Sequence, residues 1–283
     1  MVGWGIDTDF LVIGALNFQD NQDVLGFSLL RPLVAHYNHV AMKTAIIIGA
    51  TSGIGHALAR RLVDDGYTVG VTGRRTELLG ALKAENPDRY LVRTHDVTDV
   101  EASINILENL AAELVGEFGR LDLLVLCAGT GDHNESLDFA VERRAIDTNV
   151  LGFTAVADWV FTFFQRQGHG HLVVISSVAG LRGHGLAPAY GASKAYQISY
   201  AQSLQHKVAK LKEPIFVTDI RPGFIDTAMA QGEGLFWVAP VEKAAKQIHR
   251  VIAKKKKVAY ITRRWRLVAW LMKRLPNFIY NKL

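Results

Sequence analysis

One cysteine, Cys127, stands in 283 residues, which excludes an intrachain disulfide and a multi-cysteine metal site and fits a reducing compartment. No zinc-ligand spacing of His and Cys occurs. No internal repeat or low-complexity linker divides the chain, and 283 residues with 49% hydrophobic content suit one large domain with a sizeable core. Acid is missing from one end: residues 250–283 hold eleven Lys or Arg and no Asp or Glu. With a formal charge of +5 for the whole chain, residues 1–249 carry −6. An acidic body with a basic tail argues against a general nucleic-acid-binding fold and for a local attachment surface.

Residues 1–41 read unlike the rest. They carry apolar patches at 10–13 and 25–34, but lack a basic leading region and a run of eighteen apolar residues, and hold Asp7 and Asp9 early. Neither a signal peptide nor a transmembrane helix fits that pattern. Met42 then opens a short polar lead into a buried strand, so the expectation is that Met42 is the natural start and 1–41 an upstream extension. The rival is an accessory segment packed on the surface.

What is present begins with Ile46-Ile47-Ile48, a continuous apolar run of the kind buried on both faces of a parallel sheet. It runs into Gly49-Ala50-Thr51-Ser52-Gly53-Ile54-Gly55 and a helical stretch over 56–65. Glycines permit positive φ and close backbone approach, and the helix that follows offers free N–H groups to a phosphate. Taken blandly, the same glycines serve a tight turn. Further on, Tyr190 and Lys194 are four apart, so on a helix they share a face, and Ser177 lies thirteen positions before the tyrosine. An ammonium at about 4 Å from a phenol, in an effective dielectric of about 20, is worth ~4 kcal/mol, enough to lower the phenol pKa by roughly three units. Such a phenol can act as a general acid or base.

Together the GxxxGxG turn, Ser177, Tyr190 and Lys194 resemble the short-chain dehydrogenase/reductase family, over about residues 43–262. The resemblance implies an α/β fold: a doubly wound, Rossmann-type open parallel sheet of about seven strands, in a single domain over 42–262. It implies catalysis by Ser177, Tyr190, Lys194 and Asn149, with Ser177 holding the substrate oxygen, Tyr190 exchanging the proton, Lys194 lowering its pKa and holding the nicotinamide ribose, and Asn149 holding a water against the lysine. The cofactor would be contacted by Gly49, Thr51, Ser52, Gly53, Ile54, Gly55, Asp96, Val97, Ala128, Gly129, Tyr190, Lys194, Pro222, Gly223, Ile225 and Thr227. The second strand, 68–72, ends in Gly73-Arg74-Arg75, where NAD enzymes carry an acid; two arginines there suit the 2′-phosphate of NADP(H). Asp96 also reads as an N-cap for a helix from Val100. Leu126 and Cys127 stand where the family commonly has two asparagines before Ala-Gly.

The remaining expectations follow chain order. Strands are expected at 91–95, 121–126, 171–176, 215–220 and 257–262, with helices at 100–118, 137–167, 189–211 and 240–253. Arg182 and His184 read as ordinary loop residues, and 228–238, with Gly232 and Gly234 between apolar residues, as a substrate flap. Residues 263–283 form a basic tail in which Trp265, Val268, Met272 and Leu275 recur at helical spacing. Its apolar stretch is too short to span a bilayer, so it either lies in a membrane interface or packs on the subunit's own body or a second subunit. The function so implied is reduction of a ketone, or oxidation of a secondary alcohol, on a lipophilic small molecule, with no metal and no nucleic acid. The enzyme is expected to be a cytoplasmic homo-oligomer, peripheral on the inner face of a membrane if the tail attaches. A sugar-nucleotide epimerase or dehydratase and a catalytically silent NADP-binding regulator are the alternatives.

Overall fold

A computed structural model describes residues 43–230 and 236–280. The expectations for residues 1–41, and for Gly232 and Gly234 in the flap, therefore lie outside the described residues. In chain order the elements are β1 (Lys43–Ile48), α1 (Gly53–Asp64), β2 (Tyr67–Gly73), α2 (Thr76–Glu85), β3 (Tyr90–Thr94), α3 (Val100–Phe118), β4 (Leu123–Leu126), α4 (Phe139–Ile146), α5 (Phe153–Gln167), β5 (Gly170–Ile175), α6 (Pro188–Val208), β6 (Ile215–Pro222), α7 (Val241–Ala253), β7 (Val258–Ile261), α8 (Trp265–Arg274) and α9 (Asn277–Tyr280).

The seven strands form one sheet in the order β3-β2-β1-β4-β5-β6-β7, every neighbouring pair parallel. Strand order reverses between β1 and β4, so a crevice opens at their carboxyl ends, beside Gly49 and Cys127. Alternation along β1 divides the core. Ala45 and Ile47 face Leu58 and Leu62 of α1 and Ile248 of α7, while Ile46 and Ile48 face Leu107 and Leu110 of α3 and Phe153 and Phe164 of α5. Helices thus cover both faces, and the fold is the doubly wound Rossmann type. Each buried leucine of α3 contributes about 1.5–3 kcal/mol relative to exposure.

Local chemistry sets the ends. Asp99 caps α3 by accepting from the Ala102 N–H at 3.1 Å, and Gly119, at φ 77°, closes it with its N–H on the Val115 carbonyl at 2.7 Å. The N-cap is therefore Asp99, not Asp96. Pro188 opens α6 within its first turn, where a missing N–H costs nothing. Two expectations need correction, and one helix goes beyond them. The helix expected over 137–167 starts only after Leu137, which sits at φ 57°, and is interrupted by a π turn over Asp147–Gly152. At Gly152 a Cβ would lie 2.4 Å from the Val97 carbonyl oxygen, so the chain is drawn onto the neighbouring loop and the wide turn directs Asn149 fully into the interior. Helix α2 was not anticipated, because Leu79 and Leu82 alone are buried in it and Gly80 interrupts its pattern. Finally, β6 runs two residues longer, as Arg221 and Pro222 pair with Tyr260 and Ile261 of β7.

Candidate active site

The glycine turn is built by contact. A Cβ on Gly49, itself at φ 89°, would lie 2.7 Å from the Ala128 nitrogen, and one on Gly55 would lie 2.1 Å from the Gly49 oxygen. The β1–α1 turn thus passes hard against Ala128, which is why small residues follow β4. Ser52 begins α1 without a side-chain cap, leaving the helix's positive end available to an anion. Its hydroxyl and that of Thr51 instead accept from Arg75, at 2.7 Å from Nη2 in both cases. Arg74 stays exposed, 3.9 Å from the Asp96 carboxylate, which also accepts from the Thr98 N–H and hydroxyl at 3.0 and 2.9 Å. Asp96 therefore shapes its own turn and steadies an arginine. Thr227 reaches the same turn: a Cβ on Gly53 would meet its methyl at 3.1 Å.

Cys127 and Leu126 occupy the places of two asparagines, and the Gly55 N–H lies near enough to the Cys127 sulfur to favour its ionised form slightly. Burial pushes the thiol up to about 11, so it stays protonated at neutral pH.

Ser177 emerges at the carboxyl end of β5 and accepts from the Ala179 N–H at 3.1 Å, opening a short 3₁₀ turn over Val178–Leu181. Its side chain is near enough to the Tyr190 phenol to favour the ionised form of that phenol. The ring of Tyr190 packs under Gly131, where a Cβ would lie 2.4 Å from Cδ2. Burial raises the phenol pKa and outweighs the pull of the Ser177 side chain, which lowers it. This corrects the expected downward shift. The stem of Lys194 carries its ammonium past the ring, 5.9 Å from the centroid, to donate to the Ile175 carbonyl at 3.0 Å and to Gln197 Oε1 at 2.8 Å. Burial brings Lys194 down to about 8, with Cys127 and Asp219 pulling the other way.

Asn149 braces the site from the π turn. Its amide accepts from the Thr130 N–H at 3.0 Å and donates to the Thr130 carbonyl at 2.7 Å and the Ser193 hydroxyl at 3.0 Å. Its carbonyl accepts from Gln197 Nε2 at 3.0 Å, so Lys194, Gln197 and Asn149 form a direct chain. Gly129 makes room for it, since a Cβ there would lie 3.2 Å from Asn149 Oδ1 and 3.4 Å from Lys194 Nζ.

The sequence reading did not single out Gln197, Gly131 or Asp219. Asp219 is fully buried on β6, accepts from the Ser176 hydroxyl, and pairs with Arg221 Nε at 2.6 Å. The signal for it was an acid within an apolar strand. Pro222 ends β6 and Ile225 is buried in a bridge to Ala239. Gly223 also lies against the tail, because a Cβ on it would fall 2.0 Å from Cε2 of Trp265. Arg182 is no ordinary loop residue either: it donates to the Met272 and Leu275 carbonyls at 2.9 and 2.6 Å and holds the end of α8.

A family model described as short chain dehydrogenase matches residues 43–235. An uncharacterized oxidoreductase of Mycobacterium tuberculosis is 35% identical over 198 residues, 67% of this chain and 76% of that protein. The NADP-dependent 3-hydroxy acid dehydrogenase of Escherichia coli is 32% identical over 188 residues, 64% of this chain and 71% of that one. Among solved structures, the closed form of serine dehydrogenase complexed with NADP+ superposes with a TM-score of 0.68 at 26% identity, covering 77% of this chain and 94% of that one.

Proposed function

The chain belongs to the short-chain dehydrogenase/reductase family, and from that premise we propose that it is an NADP(H)-dependent oxidoreductase interconverting a ketone and a secondary alcohol at Ser177, Tyr190 and Lys194. One observation carries the reading: the side chains of Ser177 and Tyr190 come together at the carboxyl edge of the sheet with the buried Lys194 ammonium beside the Tyr190 ring. Gly129 and Ala128 join that pair to the glycine turn. NADP(H) fits the turn by its close-packed backbone and uncapped helix start, and fits Arg74 and Arg75 by charge. The same cofactor is named for the E. coli relative and for the serine dehydrogenase complex. When bound, it supplies or accepts the hydride.

The residues of the chain handle the proton. Ser177 donates a hydrogen bond to the substrate oxygen as charge develops on it. Tyr190, its pKa raised by burial, holds its proton at neutral pH and releases it to that oxygen during reduction. In oxidation the phenolate must form first, so that direction gains rate as pH rises. Lys194, tied through Gln197 to the Asn149 carbonyl, keeps a positive charge near the developing phenolate.

The substrate in this proposal is lipophilic. Met229, Phe236 and Trp237 are 49, 48 and 43% exposed on the segment that follows Thr227. A homo-oligomer belongs to the same proposal: Trp159 and Phe163 leave an incompletely covered aromatic surface on α5, and light scattering reads the mass. The function is tested by NADPH consumption over ketones of rising apolar chain length, with nucleotide sugars as a control. Turnover should grow with chain length; failure of every ketone in the series to drive NADPH consumption would end the proposal.

A further inference from the structure

The tail helix buries one face and exposes a second apolar one. Trp265 and Ala269 are buried, and Trp265 fills the space left by Gly223, stacked on Phe236 at 5.1 Å between centroids. The face anticipated for lipid, which begins at Trp265, is thus turned mainly onto the protein. Outward stand Leu267, Trp270 and Leu271, at 66, 52 and 48% exposure and three or four residues apart on one stripe of α8, and beyond the helix end Phe278, at 70%. The stripe is held outward. Arg182 binds the carbonyls that end α8 and lies 4.5 Å over the Tyr280 ring, while the Tyr280 hydroxyl donates to the Gly183 carbonyl at 2.8 Å.

Around the stripe are Arg263, Arg264, Arg266, Lys273 and Arg274, all exposed. Among the described residues none of the five forms a salt bridge. Arg264 lies 5.2 Å over the Trp237 ring and Arg274 4.8 Å over the Trp270 ring, so cations and aromatic rings alternate across the surface. At ten residues, α8 is too short to cross a bilayer, and among the described residues no helix is long and apolar enough to do so.

We propose that the outer face of α8 and α9 is a docking surface for an anionic lipid bilayer, with Leu267, Trp270, Leu271 and Phe278 entering the headgroup boundary and the five cations meeting lipid phosphates. Charge complementarity selects this occupant: an apolar stripe ringed by cations, in a stretch without one acid, is repelled by a second copy of itself. Arg264, at the rim of the outer face, lies over the Trp237 ring, so the docked face borders the apolar segment assigned to the substrate, while Phe236 packs on the inward side of Trp265. Binding to lipid does not depend on the catalytic reading, but its link to a lipophilic substrate does.

The test is flotation of the full chain with phosphatidylglycerol–phosphatidylcholine vesicles and with phosphatidylcholine alone, at low and high salt. Removing Trp265 by truncating the tail would disturb the body, so the variants are Leu267→Ser with Leu271→Ser, and Lys273→Gln with Arg274→Gln. The full chain should float with the anionic vesicles and lose this at high salt. Each cation near the surface is worth about fivefold in partitioning, so the charge variant should bind roughly thirtyfold more weakly, and the leucine variant at least about tenfold. NADPH binding, read by fluorescence, should be unchanged in both. The proposal is overturned if the full chain does not float, if it floats equally on neutral vesicles, or if the variants float as well as the parent. A fall in oligomer mass in the leucine variant, without loss of flotation, would assign the face to a second subunit instead. Loss of NADPH binding in every form would count against the proposed chemistry and leave the flotation result standing.

Discussion

Replacing Lys194 by Met should change how stability depends on pH, in a direction set by the burial of its ammonium. The lysine is 4% exposed, and burial brings its pKa from 10.5 to about 8. Below pH 8 the ammonium is charged in both the folded and unfolded chain, and its full desolvation cost is present. Between about 8 and 10.5 the unfolded chain holds a proton that the folded chain has released, so stability rises with pH; above that both are neutral and the cost is gone. At 1.36 kcal/mol per unit the whole effect is about 3 kcal/mol, of which about 2.5 kcal/mol falls between pH 7 and 10. Other groups titrate in the same window, so the quantity to follow is the difference between parent and Lys194→Met, measured by urea unfolding at pH 7, 8, 9 and 10 without cofactor. That difference should move in the parent's favour by about 2.5 kcal/mol as pH rises. A difference that stays flat, or moves the other way, would refute the placement of a charged amine in that interior.

Gly131→Ala puts a methyl within 2.4 Å of the Tyr190 ring, so the phenol must shift; kcat should fall about a hundredfold while NADPH binding and the unfolding midpoint barely move. Arg74→Ala should weaken NADPH at least about tenfold and leave NADH nearly unaffected, because a charge-assisted phosphate contact is worth roughly 1.5–3 kcal/mol. Arg75→Ala, which also frees the Thr51 and Ser52 hydroxyls, should weaken both cofactors; titration of each variant with both dinucleotides reads the contrast. Arg182→Ala removes two carbonyl contacts and a ring contact at the end of α8, worth about 2 kcal/mol together, so amide exchange in residues 265–280 should quicken roughly thirtyfold with the sheet unchanged.

The parts of the molecule that were legible in sequence are those written in local pattern. Ile46 to Ile48 could only be a strand buried on both sides, and the glycine turn, Ser177, Tyr190 and Lys194 marked the family and the carboxyl edge of the sheet. The parts that were not legible depend on pairs distant in sequence. Arg182 is some ninety residues from the carbonyls it holds, and nothing near it signals a partner. Gly223, expected at the cofactor, also faces Trp265, more than forty residues on, which fills the space a Cβ would need, and nothing near it in sequence signals that contact. Helical spacing put Tyr190 and Lys194 on one face but could not show that the ammonium would turn to Ile175 and Gln197, and so the direction of the phenol's pKa was misjudged. The π turn was hidden for a different reason: residues 139–167 have helical periodicity throughout, and the widening comes from the contact of Gly152 with Val97.

The central claim, that Tyr190 gives its proton to a ketone oxygen, is tested most directly with Tyr190→Phe, which removes the hydroxyl and keeps the ring against Gly131. Steady-state turnover of NADPH with the best ketone from the chain-length series, beside NADPH titration of the same protein, separates chemistry from binding. The account predicts a kcat lowered about a hundred- to ten-thousandfold with NADPH affinity changed little. A variant that turns over at the parent rate would contradict it.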